Sequence, residues 1–244
     1  MFKILKTLIH ENRVAHKRTR TELSSQLKEL EWAHVYHDSI RSISYLEQLP
    51  LNIGRWAGGY AFFYVLHRIL KDYKPETILE FGLGESSKFI STYITHYLPN
   101  TKHQIIEENQ DWLTAFNTQF RLHENTKISF CPSEFRDVKG FECNHYAGLQ
   151  NVVKSSFNLY VIDGPNGSKR YSRYDLMYVI SLLKPTDDFI ILLDDFNRQG
   201  EQDTFEDVEA YFKSEAIDIV YKDYKGAKTL RVIASKGYRF VTTL

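Results

Sequence analysis

The segment 78–88 carries the strongest chemical signal of the sequence. It reads ILEFGLGESSK, so a short apolar run ends in Glu80, glycines follow at positions 82 and 84, and a helical stretch begins. Glycines at such a turn let the backbone bend tightly and approach a ligand closely. The third glycine of a dinucleotide fingerprint would fall at Ser87, so binding of a dinucleotide is less favoured. The alternative is a tight turn with a purely structural role.

Two adjacent acids, Glu107 and Glu108, end the next apolar run, and Asn109 and Trp112 follow them. An acid at the tip of the second strand of a strand–helix–strand unit can accept hydrogen bonds from ribose hydroxyls. The glycine turn and these acids together therefore favour a ligand with a nucleoside part.

Further carboxylates follow two later apolar runs. Asp163 ends the strand-like part of VIDGPNG, and Asp194 and Asp195 end FIILLDD. Ligands of open α/β sheets bind at the carboxyl ends of strands, so we expect these carboxylates to lie close together, near Gly82. Adjacent carboxylates are costly to bury unless they are solvated or paired with a cation, and Mg²⁺, Mn²⁺ and Ca²⁺ prefer such oxygen ligands. The alternative for Asp163 is a capping residue of an Asp-Gly-Pro turn.

Strand-like and helix-like stretches alternate around these residues. We predict strands over residues 77–81, 103–107, 127–131, 158–163 and 189–194, and helices over 85–97, 111–120, 171–183 and 203–213. Such alternation predicts a parallel sheet with helices on both faces. Two final strands, 217–221 and 229–234, leave no room for a crossover helix and should pair antiparallel. Residues 1–50 predict one or two helices, and residues 56–70 another.

Glu80, the glycine turn and the acids of the second strand resemble the class I S-adenosylmethionine (SAM)-dependent methyltransferases over roughly residues 75–235. The resemblance implies a Rossmann-like α/β fold with seven strands, the last one antiparallel. The helical stretches before the first strand predict an N-terminal helical extension at residues 1–70, and the resemblance implies a SAM-binding domain at residues 71–244. In that family the turn lies beneath the methionine part of SAM and the second acid holds the ribose. The cofactor-binding residues so implied are Glu80, Gly82, Gly84, Ser86, Glu107, Glu108 and Asp163.

The Asp-Gly pair at position 163 and the Asp-Asp pair at position 194 resemble the cation-dependent O-methyltransferases of the macrocin type. The run VIDGPNG, with the later DD…R…E pattern, is also similar to the glucuronoxylan-type sugar O-methyltransferases. Both resemblances imply methyl transfer from SAM to a hydroxyl of a saccharide or glycan precursor. They also imply a divalent cation such as Mg²⁺, bound by Asp163, Asp194 and Asp195.

Two candidates remain for the general base that takes the proton of the acceptor hydroxyl. Asp163 can serve if no cation binds. His145, in the long segment 133–157 between the third and fourth strands, can serve if one does; the alternative is a solvated loop histidine. Lys169 and Arg170 follow the Asp163 loop and are candidates for contact with an anionic acceptor, or else form a charged helix start.

Three other functions compete with saccharide methylation. A small-molecule, phenolic O-methyltransferase would act on catechols and not on sugars. A non-catalytic SAM- or nucleotide-binding module would bind SAM without turnover. A glycosyltransferase is disfavoured, because Asp194 and Asp195 are adjacent and do not form the usual Asp-x-Asp metal motif.

The charge balance argues against nucleic acid as a partner. The 244-residue chain has Lys+Arg 31 and Asp+Glu 31, whereas nucleic-acid binding normally needs a basic excess. No apolar run approaches the ~20 residues of a membrane span, and no cleavable secretory signal is evident. Cys131 and Cys143 make neither a disulfide framework nor a CxxC pair. These features predict a cytoplasmic protein with two reduced thiols.

The N-terminal segment has a charge of its own, since residues 1–20 carry six bases and one acid. Apolar residues at positions 2, 5, 8 and 9 alternate with these bases, as in an amphipathic helix on a membrane surface. Leu23, Leu27 and Leu30 lie at helical spacing and fit packing on the sheet domain or on a second subunit. We favour packing, on the sheet domain or on a second subunit of a homo-oligomer, and keep peripheral membrane contact as the alternative.

Overall fold

Nine strands are present in the part of the chain that the computed structural model describes, which is residues 2–244 without the side chains of residues 2–5, 8 and 9. They are β1 (Thr77–Phe81), β2 (Lys102–Glu107), β3 (Thr126–Phe130), β4 (Ser133–Val138), β5 (Phe141–Tyr146), β6 (Leu159–Ile162), β7 (Ile190–Leu193), β8 (Ile219–Lys225) and β9 (Thr229–Ser235). Seven of them form one sheet, and β4 and β5 form a separate antiparallel hairpin.

The seven-stranded sheet has the strand order β3-β2-β1-β6-β7-β9-β8. Strands β3, β2, β1, β6 and β7 pair in parallel, whereas β9 is antiparallel to both of its neighbours, β7 and β8. The predicted α/β fold, a Rossmann-like sheet of seven strands with the last one antiparallel, is confirmed.

The central strands are apolar throughout because helices cover both faces of the sheet. Successive residues of a strand point to opposite faces. Ile78 and Leu159 therefore join one hydrophobic cluster, while their chain neighbours Leu79 and Tyr160 join the other. This alternation fixes which way each strand end faces, and so which side chains reach the ligand edge.

Eight α-helices and a final 3₁₀-helix accompany the strands in the described residues. They are α1 (Phe2–Ser39), α2 (Ser44–Glu47), α3 (Tyr60–Asp72), α4 (Glu85–His96), α5 (Gln110–Gln119), α6 (Leu149–Val152), α7 (Leu176–Ile180) and α8 (Gln199–Ser214), followed by the 3₁₀-helix Lys236–Thr243. The helix predicted over residues 171–183 shortens to α7, because Tyr171 and Arg173 have φ angles of 47° and 56°, which a right-handed helix excludes.

The segment 133–157 contains a hairpin that the sequence did not predict. Strands β4 and β5 pair antiparallel from Ser133 opposite Tyr146 to Val138 opposite Phe141. The turn uses Lys139 and Gly140, both with positive φ. Helix α6 then leads into β6.

Residues 2–39 form one continuous helix, α1, whose C-terminal half packs on the body of the chain. Tyr36 of α1 and Phe63 of α3 share a hydrophobic cluster with Ile78 of β1. The division of the chain at residue 70 stays a prediction. No helix among the described residues has the length and apolar character needed to cross a membrane.

The apolar stripe of α1 does not pack on the sheet domain. Leu23, Leu27 and Leu30 are 53%, 66% and 60% exposed, so the first of the two predicted packing partners is wrong. They lie on the helix face opposite Trp32 and Tyr36, which make the contacts instead. A second subunit as their partner stays a prediction. The predicted membrane-facing pattern at positions 2, 5, 8 and 9 lies outside the described side chains.

Candidate functional site

A cavity of about 510 Å³ opens at the carboxyl ends of β1, β2 and β6. Its size is within the range of small-molecule sites. The wall comes from the loop before α3, the glycine turn, the start of α5, the end of β5 and the loop after β6. The lining residues are Asn52, Trp56, Ala57, Gly82, Leu83, Gly84, Glu85, Ser86, Glu107, Glu108, Asn109, Trp112, Tyr146, Asp163, Gly164 and Asn166.

The glycine turn between β1 and α4 forms the floor of this cavity. Gly82 has a φ of 94°, a conformation that side chains other than glycine rarely adopt. Its N–H donates to the carbonyl of Ile106 at 2.9 Å, and a Cβ built on it would lie 3.5 Å from the carbonyl oxygen of Asp163. Glycine is therefore required at position 82 by conformation, and the turn lies directly against the Asp163 backbone.

Glu80 lies behind the turn and does not line the cavity. It is fully buried, with one carboxylate oxygen accepting from the Ser86 hydroxyl and the other 3.0 Å from Nε2 of His103. The carboxylate thus ties the first turn of α4 to strand β2. Direct contact of Glu80 with a cofactor stays a prediction, and the contacts present show a residue that positions the turn.

Glu107 connects the glycine turn to helix α5. Its two carboxylate oxygens accept from the N–H groups of Leu83 at 2.8 Å and Asn109 at 2.6 Å. Burial raises the pKa of Glu107 above its ordinary value, while the two N–H donors stabilise the ionised form. Glu108 lies beside it, with Oε1 accepting from the Asn166 N–H at 2.9 Å and Oε2 buried without a hydrogen-bond partner in the described part of the chain. Both predicted acids therefore reach the cavity wall.

Trp112 forms the wall beyond these acids. Asn109 caps α5 by accepting from the Trp112 N–H at 2.9 Å, and the indole Nε1 donates to the carbonyl of Leu83 at 2.7 Å. The indole is thereby fixed beside the turn with 44% of the residue exposed.

Tyr146, at the end of β5, is a lining residue that sequence reasoning missed. It is 1% exposed, and its hydroxyl has no hydrogen-bond partner among the described residues. Its N–H donates to Oδ2 of Asp175 at 2.8 Å, and burial raises the pKa of the phenol well above its ordinary value. No sequence signal marks this tyrosine, because the hairpin that brings it to the cavity was not predicted.

The predicted carboxylates at the strand ends do converge. Asp163, Asp194 and Asp195 each offer an oxygen, and these oxygens lie within 4.8 Å of one another. Asp163 is also part of the cavity wall, whereas Asp194 and Asp195 lie behind it with 1% and 3% exposure.

A buried arginine, Arg173, joins this cluster. Its Nη2 donates to Oδ1 of Asp163 at 2.9 Å and to Oδ2 of Asp195 at 2.8 Å, and its Nη1 donates to the Asp194 carbonyl at 2.7 Å. The residue is 3% exposed. The sequence pattern drew attention to Lys169 and Arg170 and not to Arg173, which has a φ of 56° in a segment predicted to be regular helix.

Lys228, from the turn between β8 and β9, adds a second cation. Its Nζ lies 3.4 Å from Oδ1 of Asp195 and 3.6 Å from Oδ2 of Asp194. Burial would raise the pKa of Asp195, but Arg173, Lys228 and Arg198 outweigh it and hold that pKa below its ordinary value. Burial and the charge of Asp195 raise the pKa of Asp194, whose carboxylate oxygens have no hydrogen-bond partner among the residues that the structure describes.

Asp163 has the environment of a proton acceptor. Burial raises its pKa to about 7, although the neighbouring Arg173 favours the ionised form. Its side chain keeps 21% exposure. A carboxyl that titrates near neutral pH and reaches a cavity can take a proton from a bound hydroxyl.

The cluster offers the oxygen ligands that a divalent cation prefers, but positively charged side chains of the protein already lie beside them. Three converging carboxylates suit Mg²⁺, and the oxygens of Asp194 are without hydrogen-bond donors. However, Arg173 already binds the carboxylates of Asp163 and Asp195, and Lys228 lies against Asp194 and Asp195. The chain's own cations thus occupy the surroundings that the predicted metal would need.

The structure does not bring the other predicted residues to the cavity. His145 lies on β5, where its Nδ1 is 3.0 Å from the carbonyl oxygen of Glu134, and it is not among the lining residues. Arg170 pairs with Asp203 rather than facing a ligand, and Lys169 is exposed. The geometry therefore favours Asp163 over His145 as general base. Cys131 and Cys143 are both free and buried.

No protein-family model and no curated protein matches this sequence. Solved structures do match it. A Staphylococcus aureus protein described as a candidate caffeoyl-CoA O-methyltransferase aligns with a TM-score of 0.50 at 12% identity, over 86% of this chain and 100% of that one. A Podospora anserina methyltransferase bound to S-adenosylhomocysteine (SAH) aligns with a TM-score of 0.48 at 12% identity, over 92% and 96% of the two chains. A Bacillus cereus O-methyltransferase in complex with SAH aligns with a TM-score of 0.42 at 12% identity, over 86% of this chain and 91% of that one.

The likeness to the Staphylococcus aureus protein shows the fold. Together with the strand order, it confirms the Rossmann-like methyltransferase fold that the sequence motifs implied.

We predict that Arg173→Met destabilises the chain by about 3–5 kcal/mol at pH 7, because it leaves buried carboxylates without their shared counter-ion. Urea denaturation followed by circular dichroism measures the change. Arg41→Met is the matched control, since Arg41 pairs with Asp38 at the surface and both side chains are exposed. Equal losses in the two variants would contradict the assignment of Arg173 as the central counter-ion.

Proposed function

We propose that this chain is a SAM-dependent O-methyltransferase that acts on a hydroxyl of a saccharide or glycan precursor. One observation carries the proposal. A single cavity joins the glycine turn and the acids of β2 to Asp163, a carboxylate whose pKa is raised to about 7. The glycine turn and the β2 acids suit a nucleoside cofactor, and Asp163 suits removal of a proton from the acceptor.

In this proposal SAM lies along the carboxyl ends of β1 and β2. Gly82 would lie beneath its methionine part, and Glu107 and Glu108 would accept hydrogen bonds from its ribose hydroxyls. The contacts of Glu107 with backbone N–H groups leave lone pairs on both oxygens, and Oε2 of Glu108 has no other partner. The indole of Trp112 offers a flat surface for the adenine.

The chemical step is a direct displacement. The acceptor oxygen attacks the sulfonium methyl carbon, an O–CH₃ bond forms as the S–CH₃ bond breaks, and SAH leaves as a neutral thioether. The hydroxyl proton passes to Asp163. The cofactor supplies the electrophilic methyl group, so the task of the protein is to align the two reactants and to accept this proton.

The acceptor side of the cavity has an exposed aromatic residue. Trp56 lines the cavity and is 96% exposed. Large apolar residues that stay exposed in a cleft are typical of ligand-binding surfaces, and an indole packs well on the C–H face of a sugar ring. A phenolic ring would pack there too, and the description of the Staphylococcus aureus neighbour names a phenolic thioester. Saccharides are the first choice because of the VIDGPNG and Asp194-Asp195 motifs.

We predict that the chain binds SAH and transfers methyl groups to saccharides. Calorimetry with SAH and a radiolabel transfer assay from SAM, over a panel of glycans, nucleotide sugars and catechols, test this. Transfer to catechols alone would contradict the saccharide acceptor. Binding of SAH without transfer to any of them would favour a non-catalytic module, and no binding of SAH would contradict the proposal as a whole.

Glu107→Gln should weaken SAH binding by about tenfold to a hundredfold, because it removes the charged acceptor that holds the turn and the ribose. Calorimetry gives the dissociation constant directly. Glu124→Gln, an exposed acid outside the cavity, serves as control and should leave it unchanged. An unaffected affinity in Glu107→Gln would remove this residue from the cofactor site.

The pH dependence of kcat should follow the ionisation of Asp163. Since its pKa is raised to about 7 and only the ionised form accepts a proton, kcat should rise with pH through about 7 and level off above it. Asp163→Asn should lower kcat by about 10²–10⁴ and remove this rise. Asp218→Asn, at an exposed acid, is the control. A wild-type profile that is flat from pH 5 to pH 9 would exclude Asp163 as the base.

A further inference from the structure

The N-terminal helix holds the turn between β8 and β9 through one carboxylate, that of Glu29. Its Oε2 accepts from the Ala227 N–H at 2.7 Å, and its Oε1 accepts from the Tyr60 N–H at the start of α3 at 2.7 Å. A Cβ on Gly59 would lie 2.8 Å from Oε1, and a Cβ on Gly226 would overlap Oε2. Glu29 therefore fixes the loop before α3 and the β8–β9 turn relative to each other.

Two neighbours on the same face of α1 strengthen this contact. Ser25 Oγ donates to the Gly226 carbonyl at 3.2 Å, and Trp32 Nε1 donates to the Lys225 carbonyl at 3.0 Å. Three side chains of α1 thus bind three consecutive residues, the last residue of β8 and the first two of the turn.

Lys228 is the next residue of that turn, and its side chain extends to the cavity wall and the aspartate cluster. Its ammonium donates to the carbonyl of Ala57, a cavity-lining residue, at 3.1 Å. The same ammonium lies 3.4 Å from Asp195 and 3.6 Å from Asp194. Lys228 therefore links the acceptor-side wall to the strand-end carboxylates.

The charge of the cluster depends on this lysine. Its carboxylates belong to Asp163, Asp194, Asp195 and Glu201, and its cations to Arg173, Arg198 and Lys228. With every one of these groups ionised, four negative and three positive charges leave −1, which becomes −2 without Lys228. A divalent cation bound to Asp194 and Asp195 would also lie close to the ammonium, and like charges at such distances repel strongly.

We propose that Lys228 takes the place of a divalent cation beside Asp194 and Asp195, and that Glu29 of the N-terminal helix positions it there. Both are positioning residues: Lys228 holds the carboxylates and the Ala57 wall, and Glu29 holds the backbone that carries Lys228. The kinetic part of the test rests on the proposed methyltransferase function, whereas the binding part does not.

Binding of Mn²⁺ alone tests the proposal without activity. Calorimetry on the full chain should detect no Mn²⁺ site tighter than about 1 mM in the wild type. Lys228→Met should bind Mn²⁺ at least about tenfold more tightly, because three converging carboxylates lose a neighbouring positive charge. Adding Asp194→Asn to Lys228→Met should abolish this gain. SAH affinity and circular dichroism confirm that the variants fold.

Glu29→Gln tests the positioning role, since glutamine keeps only one of the two acceptor oxygens. It should show a smaller gain in Mn²⁺ affinity in the same direction, and Glu31→Gln, an exposed acid on the same helix, should show none. Micromolar Mn²⁺ binding by the wild type that Asp194→Asn removes would overturn the proposal. Unchanged Mn²⁺ affinity in Lys228→Met would overturn it too, and identical results for Glu29→Gln and Glu31→Gln would overturn the part played by α1.

Kinetics separate this inference from the proposed function. Wild-type methyl transfer should persist in EDTA, while Lys228→Met should lose at least about tenfold in kcat with KM for SAM within about twofold, and Mg²⁺ should restore part of the loss. Loss of wild-type activity in EDTA would overturn the role of Lys228 and leave the methyltransferase proposal intact. Absence of methyl transfer by the wild type under every condition would contradict the proposed methyltransferase function. The Mn²⁺ affinities would still show whether Lys228 takes the place of a divalent cation.

Discussion

The buried guanidinium of Arg173 is the interaction on which the rest of the site depends. Parallel strands β6 and β7 end side by side, and each is followed directly by aspartate, so folding brings negative charges together away from water. Unpaired charges of this kind cost several kcal/mol each. Arg173 compensates them by donating to Asp163, to Asp195 and to the Asp194 carbonyl. The strand ends can therefore stay close together, and Asp163 is left at the edge of the cluster facing the cavity.

The second constraint comes from outside the sheet. Helix α1 begins far along the chain from β8 and β9, yet its Glu29 fixes both their turn and the loop before α3. One carboxylate thus determines the position of Lys228 and of the wall that contains Trp56 and Ala57. The N-terminal extension is in this sense part of the site, although only the C-terminal half of α1 makes these contacts.

Much of the fold was predictable because buried parallel strands appear in the sequence as short apolar runs. Residues 77–81 were predicted as they occur in β1, and the acids at 107, 163, 194 and 195 mark the ends of their strands. Parallel pairing then places these ends at one edge. The convergence of the three aspartates follows from topology alone, which explains why sequence reasoning reached it.

The parts of the site that were not predicted depend on tertiary contacts that leave no local pattern in the sequence. Arg173 enters the cluster through a positive φ, and Tyr146 reaches the cavity on a hairpin of mostly exposed residues without apolar alternation. His145 was predicted near the site from its place in the chain, but on β5 its ring pairs with the backbone of Glu134. Leu23, Leu27 and Leu30 have the spacing of a buried face and are exposed, because the polar residues Ser25 and Glu29 make the contacts of that helix.

A crystal structure of the chain with SAH is the most direct measurement of the central claim. SAH should occupy the cavity, with the ribose hydroxyls on Glu107 or Glu108, the adenine against Trp112 and the sulfur on the side of Asp163. A structure in which SAH lies elsewhere, or in which the sulfur faces away from Asp163, would contradict it.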